Sequence, residues 1–558
     1  MASKRRVRKT SQPFTIPAPM GGINVTAGLA STDPKYAIYS YNLLPSKYGL
    51  QVRPGFKEYA LGITGTGGVR GLIPVRGALT AYDRLFAASA DGIWNISAST
   101  LAAAKVVTFG TTTGNAGFTS WTNFTAGAGQ YAAVCDEVNG YHHYKLSTGT
   151  WTKLTLGAGA GQVANVDPAT LVFVTEYKGR LLFAAADSSK MWYLGLGAVE
   201  GAALSFEWGD KFPHGGKLVG LYGYSVDGGQ GVESLLVAIS STGDVLLYEG
   251  IDPAADFKMR GKWYVGDIPA GYRGVTRVGG DLLILTASGA VPLTSIVRGE
   301  DLAAQDAYLT KNIAPLIKAD MSTLMNSRGW EAKIDAKRGV LYICAPLAPS
   351  GVYTQYVQDL TTRAWGQYRG LPINTCESYS GEFYIGSTNG TVYRLTGSLD
   401  YAKLIELPAK GFWRPGFWAT GFWKKGFWKE DLYVSTNRAI DWALLTSFQN
   451  GGSENQKQVD VVRPYFLASS APSWKLEVRY DFQLGEIAAA PIGSPVVAGT
   501  WDSATWDTAV WGGETAAYKG VQGGAGMGTY VAIALKGQSS LETTLLTFGG
   551  SAKAGGFM

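Results

Sequence analysis

One supersecondary unit recurs along the chain, and it restricts the possible folds more than any other feature. Its clearest copy is the stretch 379–396, YSGEFYIGSTNGTVYRLT. Two runs rich in aromatic and β-branched residues, 382–385 and 391–395, flank a polar turn carrying Asn389-Gly390. Asn and Gly tolerate positive φ, so the pattern predicts a hairpin with a type I′ turn. Degraded copies lie upstream. Arg84-Leu85-Phe86 runs through Asp91-Gly92 to Ile93-Trp94, the run 180–183 through Asp187 to Trp192-Tyr193, and the run 235–239 through Gly243-Asp244 to Leu247-Tyr248. Each unit leaves an apolar face that only a neighbour can cover, so the units must stack in a circle. The repeats predict a mainly β chain holding an irregular β-propeller of six or seven blades over residues 17–400, with a short helical insertion near 301–325.

Composition agrees with that class. The 558 residues include 74 glycines, 12% aromatic and only 16% charged residues, which suits short strands and tight turns better than amphipathic helices. The three cysteines, Cys135, Cys344 and Cys376, are far apart and form no C-x-x-C pair, so no disulfide framework and no thiolate zinc site is expected. No apolar run reaches the roughly 18 residues of a spanning helix, and the basic N-terminus lacks a signal-peptide apolar core. The expectation is a soluble protein assembled in a reducing cytoplasm.

Charge is unevenly placed. The net charge is +6, yet Lys4, Arg5, Arg6, Arg8 and Lys9 supply five positives, and without them 44 basic residues face 43 acidic ones. Residues 1–16 therefore read as a flexible basic arm, either docking on an acidic surface or simply solvated. The nearly neutral body argues against a broad grip on nucleic acid.

The opening of the body carries a resemblance. Gly21-Gly22-Ile23-Asn24, Asp33-Pro34 with Ala37, Tyr41-Asn42-Leu43 with Pro45, and Val52-Arg53-Pro54-Gly55-Phe56 follow in that order. Farther on, residues 301–325 have helical apolar spacing broken at Pro315, then come a strand at 339–345, a second at 353–356, Ala364-Trp365 and the 379–396 hairpin. Both blocks resemble the nozzle, or tail tubular, proteins of short-tailed bacteriophages, and the likeness covers most of 17–400. It implies a structural virion protein, a homohexamer at the distal end of the tail, that conducts and gates DNA exit. The implied partners are a tail adaptor protein of the head-to-tail connector, tail fibres, and double-stranded DNA passing without sequence-specific binding. The implied place is the virion tail, after assembly in the bacterial cytoplasm.

The segment 401–430 stands apart. Gly-Phe-Trp recurs every five residues and supplies Phe412, Trp413, Phe417, Trp418, Phe422, Trp423, Phe427 and Trp428. Neither a strand nor a helix turns a period of five into one stripe, so the glycines favour successive tight turns. Trp501, Trp506 and Trp511 repeat the spacing more weakly. Packing between subunits, contact with a membrane surface and contact with sugars all remain open for these rings. Residues 431–558 predict a second, sandwich-like β domain, with strands at 460–466, 474–482, 530–535 and 541–548.

Catalytic signatures are sparse. His142 and His143 are adjacent and would face opposite sides of a strand, and His214 is remote. No G-x-S-x-G, phosphate loop or dinucleotide fingerprint is present. The reading is a non-enzyme without metal or cofactor, and the alternative is a glycan-binding or glycan-cleaving propeller at a host surface.

Overall fold

The computed structural model describes residues 11–554 except 101, 228–231, 303–305, 407–432, 489–497, 500–509 and 512–515. The chain is mainly β and forms a β-propeller joined to a β-sandwich.

Among the described residues, seven meanders follow one another around a ring. Four are four-stranded sheets at 69–108, 119–153, 171–207 and 218–264, and a three-stranded sheet follows at 275–292. These five stand free. The sixth meander, 331–369, and the seventh, 375–395, belong to a 14-stranded sheet that runs on into the sandwich. Phe56–Ala60 pairs with Val392–Leu395 as the outer strand of the seventh blade, so an N-terminal strand closes the ring on C-terminal ones.

Neighbouring blades lie against each other through their first strands, and both faces of most blades are covered. Phe86 meets Tyr144 and Trp151 of the next blade edge-on at 5.0 and 5.1 Å, and Tyr141 meets Phe183 of the following one at 4.8 Å. Burying each such ring is worth about 1.5–3 kcal/mol, and only the ring closure supplies a partner for every face.

The 379–396 unit is a hairpin, Glu382–Gly386 against Val392–Leu395. Its connection is the longer loop 387–391, and only Gly390 takes positive φ, +79°. A Cβ at Gly390 would lie 2.1 Å from the Ile63 carbonyl oxygen, so close backbone approach decides the residue. Asn389 instead accepts from the Thr391 amide at 3.0 Å, which replaces the type I′ expectation.

The helical insertion is the helix Ala314–Leu324, with Pro315 in its first turn, where a missing N–H costs nothing. Ile317, Met321 and Leu324 are buried, in one cluster with Trp330, Ile343 and Trp365 of the sixth blade.

The sandwich is built from both ends of the chain. One sheet orders Tyr36–Tyr41, Tyr433–Thr446, Val531–Ser539 and Ser473–Tyr480. The other places Thr543–Ala554 between Lys457–Ala468 and the N-terminal strands Gln12–Pro17 and Leu50–Val52. Trp442, Leu444, Phe466, Leu476, Leu535 and Phe548 fill the space between. This differs from the expected boundaries. Residues 12–16 pair with 548–552 and are no free arm, and 36–52 serve the sandwich although the sequence assigns them to the propeller. Pairing between segments some 540 residues apart has no local sequence signature.

Candidate functional site

Most of the aromatic and basic residues singled out in the sequence lie outside the described residues: Phe412, Trp413, Phe417, Trp418, Phe422, Trp423, Phe427, Trp428, Trp501, Trp506, Lys4, Arg5, Arg6, Arg8 and Lys9. Trp511 lies in the short strand Val510–Trp511, whose backbone pairs in parallel with Ala498–Gly499. The structure instead brings together two other sets of residues.

The first set joins the two domains, and it is made from the motif residues of the opening. Arg53 is buried and grips Asp400 with both ends of its guanidinium, Nη2 to Oδ2 at 2.6 Å and Nη1 to Oδ1 at 2.8 Å. Its Nε donates to Asn42 Oδ1 at 3.1 Å. Asn42, held at φ +59°, also accepts from the Arg369 amide at 2.8 Å and donates to the Asp441 carbonyl at 2.7 Å. Two side chains thus connect the sixth blade, the strand Leu399–Glu406 and the sandwich strand Tyr433–Thr446. A bidentate pair fixes direction as well as distance, so it sets the angle between the domains. The glycines of the same motifs are steric. A Cβ at Gly22 would come 2.3 Å from the Trp365 carbonyl oxygen, and one at Gly55 2.1 Å from that of Leu399. A cavity of about 610 Å³ opens beside Arg53, lined by Lys47, Gln51, Arg338, Asp359 and Glu542 among others.

The second set lines the axis of the propeller, a cavity of about 480 Å³ with residues from all seven blades described. Trp121, Phe173 and Tyr222 contribute aromatic faces, and Arg273, Glu331, Lys333 and Glu377 contribute charge. These four charges fall into two pairs. Lys333 Nζ lies 2.6 Å from Glu377 Oε2, and Arg273 Nη1 lies 3.5 Å from Glu331 Oε2 and donates to Thr375 Oγ1 at 3.0 Å. Burial alone would push the Lys333 ammonium down, but Glu377 and Glu331 outweigh it and hold it above its ordinary value. Arg273 Nη2 is buried and has no hydrogen-bond partner among the described residues. Glu176 and Arg277 also line the cavity without an ion pair among the described residues: Glu176 Oε1 accepts from the Gly179 amide at 2.8 Å and Arg277 Nη2 donates to the Gly223 carbonyl at 3.0 Å, so the lining holds three cationic and three anionic side chains.

The histidines behave as expected from their adjacency. His142 packs on Phe109 and His143 on Tyr131, on opposite faces of the strand Gly140–Lys145. Burial holds the His142 imidazole down to about 4, so it is neutral. His214 Nδ1 lies 2.7 Å from Asp244 Oδ1. Among the described residues no three His, Cys, Asp or Glu side chains converge as a metal site would need, and no helix is long and apolar enough to cross a membrane.

Sequence reasoning missed the axial cavity because its residues are spread over all seven blades described, and nothing in a single repeat marks the inner strand as polar. The Arg53 set was visible as a motif, although not as a junction.

Comparison with known proteins adds little. No family model and no curated protein matches the chain. Among solved structures, the extracellular domain of a hybrid two-component system from B. thetaiotaomicron is similar at 13% identity and a TM-score of 0.37. The match covers 62% of this chain and 41% of that one.

Proposed function

We propose that the chain is a structural virion protein that assembles with copies of itself into the distal tail tube of a short-tailed phage and conducts DNA on ejection. The observation that carries this reading is the Arg53–Asn42–Asp400 junction. Asn42 and Arg53, two of the residues in the stretch that resembles phage nozzle proteins, lock propeller to sandwich through Asp400. In a closed ring each subunit needs two different, complementary surfaces at a fixed angle, and a rigid junction between two domains supplies that angle. A nearly neutral body suits a conduit, since each cationic contact to phosphate would retard the polymer. Hexameric stoichiometry, the tail adaptor and the tail fibres follow from the resemblance as partners to be tested. Native mass spectrometry and electron microscopy of the chain mixed with a tail adaptor are expected to yield rings. A compact monomer in that mixture, with the chain missing from purified virions, would overturn the reading.

The axial cavity favours a second reading, a propeller that binds host-surface glycans. Aromatic faces beside paired charges are what a short neutral oligosaccharide needs for stacking and hydrogen bonding. Saturable oligosaccharide binding abolished by Trp121→Ala would support it. Binding lost only on Trp418→Ala and Trp423→Ala would move the site to the Gly-Phe-Trp segment.

A further inference from the structure

Two cysteines that the sequence leaves unpaired meet in the fold. Cys344 lies on Val340–Cys344 of the sixth blade and Cys376 on Thr375–Tyr379 of the seventh, and their Sγ atoms are 3.9 Å apart. Both are about 1% exposed, in one cluster with Tyr342, Phe383 and Ile385. The third thiol, Cys135, lies in the second blade.

We propose that Cys344 and Cys376 form a latent disulfide that staples the seam between the sixth and seventh blades when the folded chain meets an oxidant. The seventh blade is the composite one, three late strands closed by Phe56–Ala60, and the bond would tie this blade to the sixth. A disulfide needs sulfurs about 2.05 Å apart, and the gap to be closed is about 1.9 Å, within reach of a side-chain rotation. With hydrogen peroxide the step balances. One thiol loses its proton, the thiolate attacks a peroxide oxygen, the O–O bond breaks to leave a sulfenic acid, and the hydroxide released takes up that proton as water. The second thiol attacks that sulfur, the S–O bond breaks, and a second water leaves.

Burial pushes the Cys376 thiol well above its ordinary value, so the first attack is slow at neutral pH and quickens as pH rises. A reduced chain therefore folds and assembles freely, and the bond forms only on sustained exposure to an oxidising medium.

The test uses the full chain, purified reduced and treated with hydrogen peroxide without denaturant. Thiols counted after unfolding should fall from three to one. Peptide mapping should find the Cys344 and Cys376 peptides joined, about 2 Da lighter than their sum, and dithiothreitol should reverse this. The thermal midpoint should rise by about 2–4 °C. Cys135→Ser should lose both remaining thiols at the same rate as the parent chain. Cys344→Ser and Cys376→Ser should each keep both thiols within the chain, and Cys376→Ala serves if the serine variant misfolds. Three surviving thiols, stable oxygen adducts on either cysteine, or joined peptides derived from two different copies would each overturn the proposal.

Discussion

The propeller and the sandwich solve the same problem in opposite ways. Each propeller blade is a meander of consecutive strands, such as 119–153, and its rings find partners one blade away. The sandwich takes strands from 12–52 and from 433–554 and pairs Gln12 with Ala552. The difference teaches that local repeats can set a closed ring, whereas the second domain exists only once the two ends of the chain have met. Folding of the sandwich therefore carries the larger loop-closure cost and should be the later event.

The largest predicted effect tests that independence. Trp442 fills the sandwich core, its Nε1 donates to Ser539 Oγ at 2.8 Å, and a Cβ at Gly537 would lie 2.1 Å from its ring. Trp442→Ala should cost about 3–5 kcal/mol. Hydrogen exchange should show the sandwich amides losing protection while the blades 119–153 and 171–207 keep theirs. Uniform loss over both domains would mean one cooperative unit.

Next is the link between the regions. Asp400→Ala leaves the Arg53 guanidinium buried without its carboxylate and should cost about 3 kcal/mol. It should also move the denaturation midpoints of the two domains farther apart, because the link that couples them is lost. Double replacement Arg53→Met with Asp400→Leu should recover most of the stability but not the ring assembly.

Acid separates the two domains by composition. All three histidines belong to the propeller. His142 titrates at about 4 when folded against an ordinary 6.5, so its contribution is full above 6.5 and is lost as pH falls from 6.5 toward 4. The loss is at most about 3 kcal/mol. Burial holds the Asp136 and Glu137 carboxyls above their usual range, which opposes this loss. The difference between the parent chain and His142→Gln isolates the histidine. A parallel acid profile for the two proteins would refute the assignment.

The smallest expected effect concerns the backbone at the junction. Gly22 sits at φ +75° against the Trp365 carbonyl, and Gly22→Ala should cost at least about 1 kcal/mol, read as a lower denaturation midpoint. Gly381, at φ +75° with nothing within 4 Å of an added Cβ, provides the control for φ strain without a clash.

How much of this was legible follows from distance along the chain. The hairpins, the helix within 301–325 and the strand at 474–482 could be read because each pattern is complete within a few residues. The facing sides of His142 and His143 follow from the period of a strand. The contact of Cys344 with Cys376 could not be read, since widely spaced thiols carry no sign of which blades will be neighbours.

The chain's own order of residues determined that it would be a β protein of repeated hairpins with unmet apolar faces, because strand period, turn residues and burial are local properties. Only the tertiary structure decided that seven blades stand among the described residues, that Asn42, Arg53 and Asp400 meet, and that strands within 12–52 pair into the sandwich. Those are contacts between distant segments, and they acquire an energy only when the closed ring brings the partners within reach of one another.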